Sequence, residues 1–89
     1  MSCRIDRLVT EDHRVILRVS GRIRGDDVSM LKQLLKHEQN GVVIDLEEIT
    51  LVDRDAVAFL ARSERSGTQL LNCPPYVREW INRGKRSQR

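Results

Sequence analysis

An α/β domain with a mixed β-sheet, its elements in the order β-β-α-β-α-β-α, follows from three features of the chain. A segment near the amino end alternates apolar and polar residues with a period of two, as a half-buried strand does. A segment in the middle, Val42 to Leu46, is apolar almost without interruption, which is how a strand buried on both faces reads. Three stretches with apolar residues at three- and four-residue spacing lie between or after the strands, so the connections are crossovers and part of the sheet is parallel. With 89 residues there is material for one such domain and not for two.

Val15, Leu17 and Val19 alternate with Arg18 and Ser20, and Gly21 is read as the end of that strand. An earlier strand, about Cys3 to Val9, pairs with it through the polar turn Thr10 to His13 and makes an opening hairpin. Asp26 or Asp27 then offers a side-chain oxygen to the free amides of a helix start, followed by Val28, Leu31, Leu34 and Leu35 on one face. Asn40 and Gly41, which tolerate a left-handed backbone, stop it. After the central strand, Glu47 to Val52 is read as a loop. Asp53 caps a second helix with the stripe Val57, Leu60 and Ala61, and Gly67 marks its exit. A strand from Thr68 to Cys73 follows, and Pro74 and Pro75 open a third helix that sets Val77, Trp80 and Ile81 on one side before Gly84. The predicted core includes Val42, Ile44, Val57, Leu60 and Trp80.

Sixteen basic and 13 acidic side chains give a formal charge of +3, with both signs interleaved along the chain. Four of the positive charges, Arg83, Lys85, Arg86 and Arg89, fall at the carboxyl end, so the remainder carries about −1 and the basic balance is a property of the tail. Residues 1–83 are therefore expected to form the domain and 84–89 a basic, disordered tail. Three aromatics, Phe59, Tyr76 and Trp80, are too few for the stacking platforms of single-stranded nucleic-acid binders, so nucleic acid is not an expected partner. The longest wholly apolar run, Ala56 to Ala61, is far short of the ~20 residues that cross a bilayer. No membrane association and a cytoplasmic location are expected. Cys3 and Cys73, 70 residues apart and without CxxC spacing, are expected to remain unpaired.

The densest group of reactive side chains is Asp45, Glu47, Glu48, Asp53 and Asp55, at and beyond the carboxyl end of the central strand, the edge where open α/β sheets bind ligands. Paired carboxylates there suit Mg²⁺, yet phosphoryl chemistry also needs a phosphate cradle or a placed lysine, and no glycine-rich loop exists. His13 and His37 lack ligand spacing, and no nucleophile motif is present. The sequence predicts no enzyme, no metal and no cofactor. What stands out is LVDRDAVAFLA, Leu51 to Ala61. Asp53 and Asp55 suit the positive end of a helix, whereas Arg54 opposes it by a few tenths of a kcal/mol. Arg54 either points to water or a neighbouring carboxylate, or forms with Asp55 a displayed charged patch that a partner reads.

The strand-loop-helix VVIDLEEITLVDRDAVAFLA resembles the most diagnostic segment of the STAS domain, the fold shared by anti-sigma factor antagonists and the cytoplasmic ends of sulphate transporters. The likeness extends from Val15 to about Arg83. Asp45 and Leu46 match the D-L that ends the family's central strand. Val52, Asp53, Arg54, Asp55 and Ala56 stand where the family has an apolar residue and a D-S-S-G turn. VILRVSGRI resembles the family's second strand, and GTQLLNCPPYVREWI the strand that leads into its last helix.

That resemblance implies a bacterial protein that works by docking in the regulation of transcription. In partner switching, a STAS antagonist binds an anti-sigma factor that is also a serine kinase. Phosphorylation of the second serine of D-S-S-G, about −1.5 to −2 charge at a helix start within the interface, then separates the two. Here Asp55 occupies the phosphoacceptor position and Arg54 that of the first serine, so serine phosphorylation at this place is not expected. Ala56 replaces the glycine, which implies a relaxed turn or no need for close backbone approach. The partner-binding residues implied are Glu48, Thr50, Asp53, Arg54, Asp55 and Ala56, with Asp53 holding the turn and Arg54 and Asp55 facing a protein partner, an anti-sigma factor or kinase. The chain also stops without the closing strand and helix of many relatives, which raises a second expectation, a self-assembling homodimer made through an exposed sheet edge.

Overall fold

The structure, a computed structural model, describes residues 3–38 and 41–87, with side chains as far as Arg83. The opening hairpin forms as expected: β1 (Cys3–Val9) pairs antiparallel with β2 (Val15–Ile23). His13 takes a left-handed backbone in the turn between them. Helix α1 (Gly25–Lys36) follows, then β3 (Val42–Asp45), β4 (Ile49–Val52), helix α2 (Arg54–Arg65), β5 (Gln69–Leu71) and helix α3 (Pro75–Ser87). All pairings other than the hairpin are parallel, in the order β1-β2-β3-β5, with β4 also on β2. The α/β class and the mixed sheet are those the sequence predicts. The stop expected at Asn40 and Gly41 comes earlier: α1 ends at Lys36 with His37 as its C-cap, so Gly41, at φ 79°, turns the chain beyond the helix, and Asn40 lies outside the described residues.

Three corrections follow. First, β2 does not end at Gly21 but runs to Ile23, because Gly21, at φ 84°, stays in register with Cys3 on one side and with Ile49 on the other. Second, Ile49–Val52, read as loop, is the strand β4, so the order is β-β-α-β-β-α-β-α. β3 pairs with the first half of β2 and β4 with its last three residues, as one strand interrupted at Leu46–Glu48. Its register passes from Gly21↔Ile49 to Arg22↔Leu51, leaving Thr50 as an extra residue. That bulge lets Ile49 and Val52, three apart, both reach the core. Third, Trp80 is not core: it is 39% exposed, and α3 instead buries Val77 and Ile81 completely. One turn of helix is 3.6 residues, and with Val77 and Ile81 on the seam, position 80 falls beside it.

The inner face of the sheet, Val15, Leu17, Val19, Ile23, Val42 and Ile44, packs beneath the helices. Val28 and Leu31 of α1, Ala56, Val57, Phe59 and Leu60 of α2 and the two α3 residues complete the core. All of Val42 to Leu46 is buried, as a central strand requires. Arg78 ties α3 to α2 by two 2.8 Å hydrogen bonds to the Glu64 carboxylate. Helix α3 continues through Gly84 and takes in the first residues of the basic segment 84–89; Gln88 and Arg89 lie outside the described residues. Cys3 and Cys73 are free thiols, each raised in pKa chiefly by burial. Among the described residues no helix is long and apolar enough to cross a membrane.

Candidate functional site at the start of the second helix

Parallel strands direct their carboxyl ends to one edge of the sheet, and there β2 gives way to α1 and β4 to α2. The two helix starts are held by one side chain. Asp53, the N-cap of α2, accepts the Ala56 N–H at 2.9 Å on Oδ1 and the Gly25 N–H, at the start of α1, at 2.8 Å on Oδ2. Its own N–H donates to the Ile23 carbonyl at 3.1 Å, so backbone and side chain both join the two crossovers. The N–H groups of Ala56 and Gly25 hold the Asp53 carboxyl below the usual range, against a smaller opposing effect of burial. At α1 neither Asp26 nor Asp27 is the N-cap, because the helix starts two residues earlier, with Arg24 in that position; Asp27, in the first turn, accepts the Arg24 N–H at 2.9 Å.

On this clamp stand Arg54 and Asp55, both exposed, in the first turn of α2. Among the described residues neither makes an ion pair. Asp55 lies across Gly25: a Cβ built there would sit 2.8 Å from Asp55 Oδ2 and 3.2 Å from Asp55 Cβ. Glu48 and Thr50 are exposed on the adjoining turn and strand, next to Leu51, an apolar side chain 53% exposed. Ala56 differs from the other five expected contacts, since it is wholly buried. Its methyl packs in the core and its N–H serves the Asp53 cap, which leaves Glu48, Thr50, Arg54 and Asp55 as the exposed ones and Asp53 half-buried at the helix start. Gly25, against which Asp55 lies, was not singled out from sequence. Gly25 directly before two aspartates was the available signal for close approach.

Of the two remaining carboxylates of the acidic group, Glu47 is exposed and Asp45 is turned to a structural task. It is buried and accepts hydrogen bonds on Oδ1 from the Glu47 N–H at 3.0 Å and Asn72 Nδ2 at 3.1 Å. Arg18 Nε, buried and without a hydrogen bond of its own, lies 3.6 Å from Oδ2. Burial alone would raise the Asp45 pKa; Asn72, the Glu47 N–H and Arg18 outweigh it and leave the net shift downward. Asn72 reaches Asp45 from a left-handed backbone, φ 54°, that ends β5 after Leu71 rather than at Cys73. Among the described residues no three His, Cys, Asp or Glu side chains are grouped to hold a metal ion.

A sheet of this order, with helices on its inner face and a capped helix start after the central strand, is the STAS-like fold, and this chain has it. The crystal structure of an antisigma-factor antagonist, STAS domain, from Rhodobacter sphaeroides is similar to it with a TM-score of 0.62, covering 80% of this chain and 87% of that one at 19% sequence identity. No family model matches the sequence, and no curated protein does.

Proposed function

We propose that this chain is a non-enzymatic protein-interaction module of the anti-sigma factor antagonist kind. It works in the bacterial cytoplasm in the regulation of transcription and docks a protein partner, an anti-sigma factor or kinase, through Glu48, Thr50, Arg54 and Asp55. The observation that carries this is the pair Arg54 and Asp55, exposed and without ion pairs among the described residues, on a helix start immobilised by Asp53. A charged residue that opposes the helix dipole and has no internal partner is accounted for by an external one. Asp55 carries about half the charge of a phosphate in the place of the family's phosphoserine, so the module does not switch by serine phosphorylation there.

The test compares wild type with Arg54→Ala, Asp55→Ala and Asp55→Ser in capture of partners from the native cell. Asp55→Ser leaves stability within about 0.5 kcal/mol, since both residues suit a helix start. It changes partner affinity or accepts phosphate from a cognate kinase. Unchanged affinity in all three variants, with no phosphate uptake, would refute this face. A homodimer through β1 has one observation in its favour: β1 is an edge strand with Leu8 and Val9 40% and 54% exposed. Sedimentation over a concentration series separates the two readings, a monomer throughout removing the second.

A further inference from the structure

Crossover helices run back against their strands, so α1 and α2 both finish at the pole of the molecule away from Asp53. There they enclose, with the chain entering β5, a groove of about 390 Å³. Its lining includes the apolar Leu35 and Phe59, the basic Lys32, Lys36 and Arg62, and the hydroxyl-bearing Ser63, Ser66 and Thr68. Among the described residues no carboxylate lines the groove, and none of the three cations makes an ion pair. Arg4, Arg7, Arg14, Arg18 and Arg78 each lie within 4 Å of a carboxylate, whereas Arg22, Arg24, Arg54 and Arg65, outside the groove, are also without an ion pair among the described residues, so it is the grouping of three cations at one groove that sets this place apart.

Helix dipoles account for Lys36 and Arg62, each in a last turn, but not for Lys32 one turn earlier on the same helix as Lys36, nor for the hydroxyls. The far end is a hydrogen-bonded turn. The Ser63 carbonyl accepts the N–H groups of Ser66 at 3.1 Å and Thr68 at 2.9 Å, a turn that requires Gly67 at φ 107°. Three cations and the hydroxyl-bearing side chains supply several donors that a multiply accepting anion such as a phosphate can engage together, and the apolar lining suits an apolar group attached to it.

We propose that this groove binds a small organic phosphate, its phosphoryl oxygens taken by Lys32, Lys36 and Arg62 with the Ser66 and Thr68 hydroxyls, its apolar part over Leu35 and Phe59. The volume is at the lower end of the ~300–1,000 Å³ of small-molecule sites, so one ring or short chain fits beside the phosphate.

The experiment is amide NMR of the full chain titrated with phenyl phosphate, inorganic phosphate and phenol, on wild type, Lys32→Gln with Arg62→Gln, and Arg65→Gln as a control outside the groove. Saturable shifts with phenyl phosphate are expected at Leu35, Phe59, Arg62, Ser66 and Thr68, with Asp53–Asp55 unmoved. Inorganic phosphate should shift the same amides with affinity about tenfold lower, for want of the apolar contact. The double variant should lose about tenfold or more, and Arg65→Gln nothing. Shifts that fail to saturate, phenol binding as tightly as phenyl phosphate, or unaltered binding in the double variant would overturn the site. So would preferential binding to anionic vesicles without shifts at Leu35 and Phe59, which would assign the cations to a membrane surface.

Discussion

Asp53 joins two parts of the chain that are 28 residues apart, and only half of that role is written locally. An aspartate before an apolar stripe announces a helix cap, so its bond to Ala56 was legible. Its bond to Gly25 was not, because the fold alone brings the two helix starts together. The same holds for Asp55, whose exposure follows from its position in the first turn but whose closeness to Gly25 follows from the fold. Gly25 does not need its conformational freedom, since its φ is not left-handed. Replacing such a glycine by alanine ordinarily stabilises by ~0.4–1 kcal/mol. Here the added methyl meets Asp55 Oδ2 at 2.8 Å and Asp55 Cβ at 3.2 Å, and although the exposed carboxylate can swing aside the helix holds its Cβ, so Gly25→Ala should lose that gain. In an Asp55→Ala background, where the carboxylate is gone, part of the gain should return in a denaturant-unfolding double-mutant cycle. Strict additivity would mean that the side chains at the two positions do not meet.

At the scale of elements, those with a regular period were readable and those that break it were not. The second strand repeats at two and the capped second helix near 3.6 residues, and the buried middle strand shows as an unbroken apolar run. β4 is four residues long and carries its extra residue at Thr50, so its two core side chains are three apart and match neither period of a plain strand. Trp80 was misplaced for a related reason. An i, i+3 or i, i+4 match names a stripe without its edges, and Val77 with Ile81 fills the seam alone. The bulge makes a sharp prediction. Thr50 is exposed, so Thr50→Ala should change stability by less than about 0.5 kcal/mol. Deleting Thr50 restores simple alternation and forces Ile49 or Val52 off the inner face. One buried aliphatic side chain is worth ~1.5–3 kcal/mol, and the misdirected neighbour adds to it, so the deletion should cost about 3 kcal/mol or more. Equal stability of the two variants by chemical denaturation would show that the bulge does not set the register.

For the whole molecule, two carboxylates join separate layers of structure and both are worth most when ionised. Asp53 binds the two helix starts to each other, and Asp45 binds the middle strand to the turn after it and to the segment leaving β5. Both have folded pKa values below those of the unfolded chain. Asp53 is lowered chiefly by its two N–H donors. Asp45 is pushed up by burial but brought down further by Asn72, the Glu47 N–H and Arg18. Between the folded and unfolded values the unfolded state binds more protons, so the slope of stability with pH is positive there. The stability they contribute is therefore complete above the ordinary carboxylate range, about pH 4, and is lost as pH falls through their folded values. Urea unfolding measured from pH 7 downward should show stability falling below about pH 4, with a shallower fall in Asp53→Asn and in Asp45→Asn, each of which starts lower at pH 7. Because the two sites share no partner, the double variant should lose the sum of the two single effects and flatten the acid limb further. A steeper acid limb in either single variant would mean that the carboxylate removed had been protonated in the folded protein, and the clamp at the candidate face would then not be the charged one described.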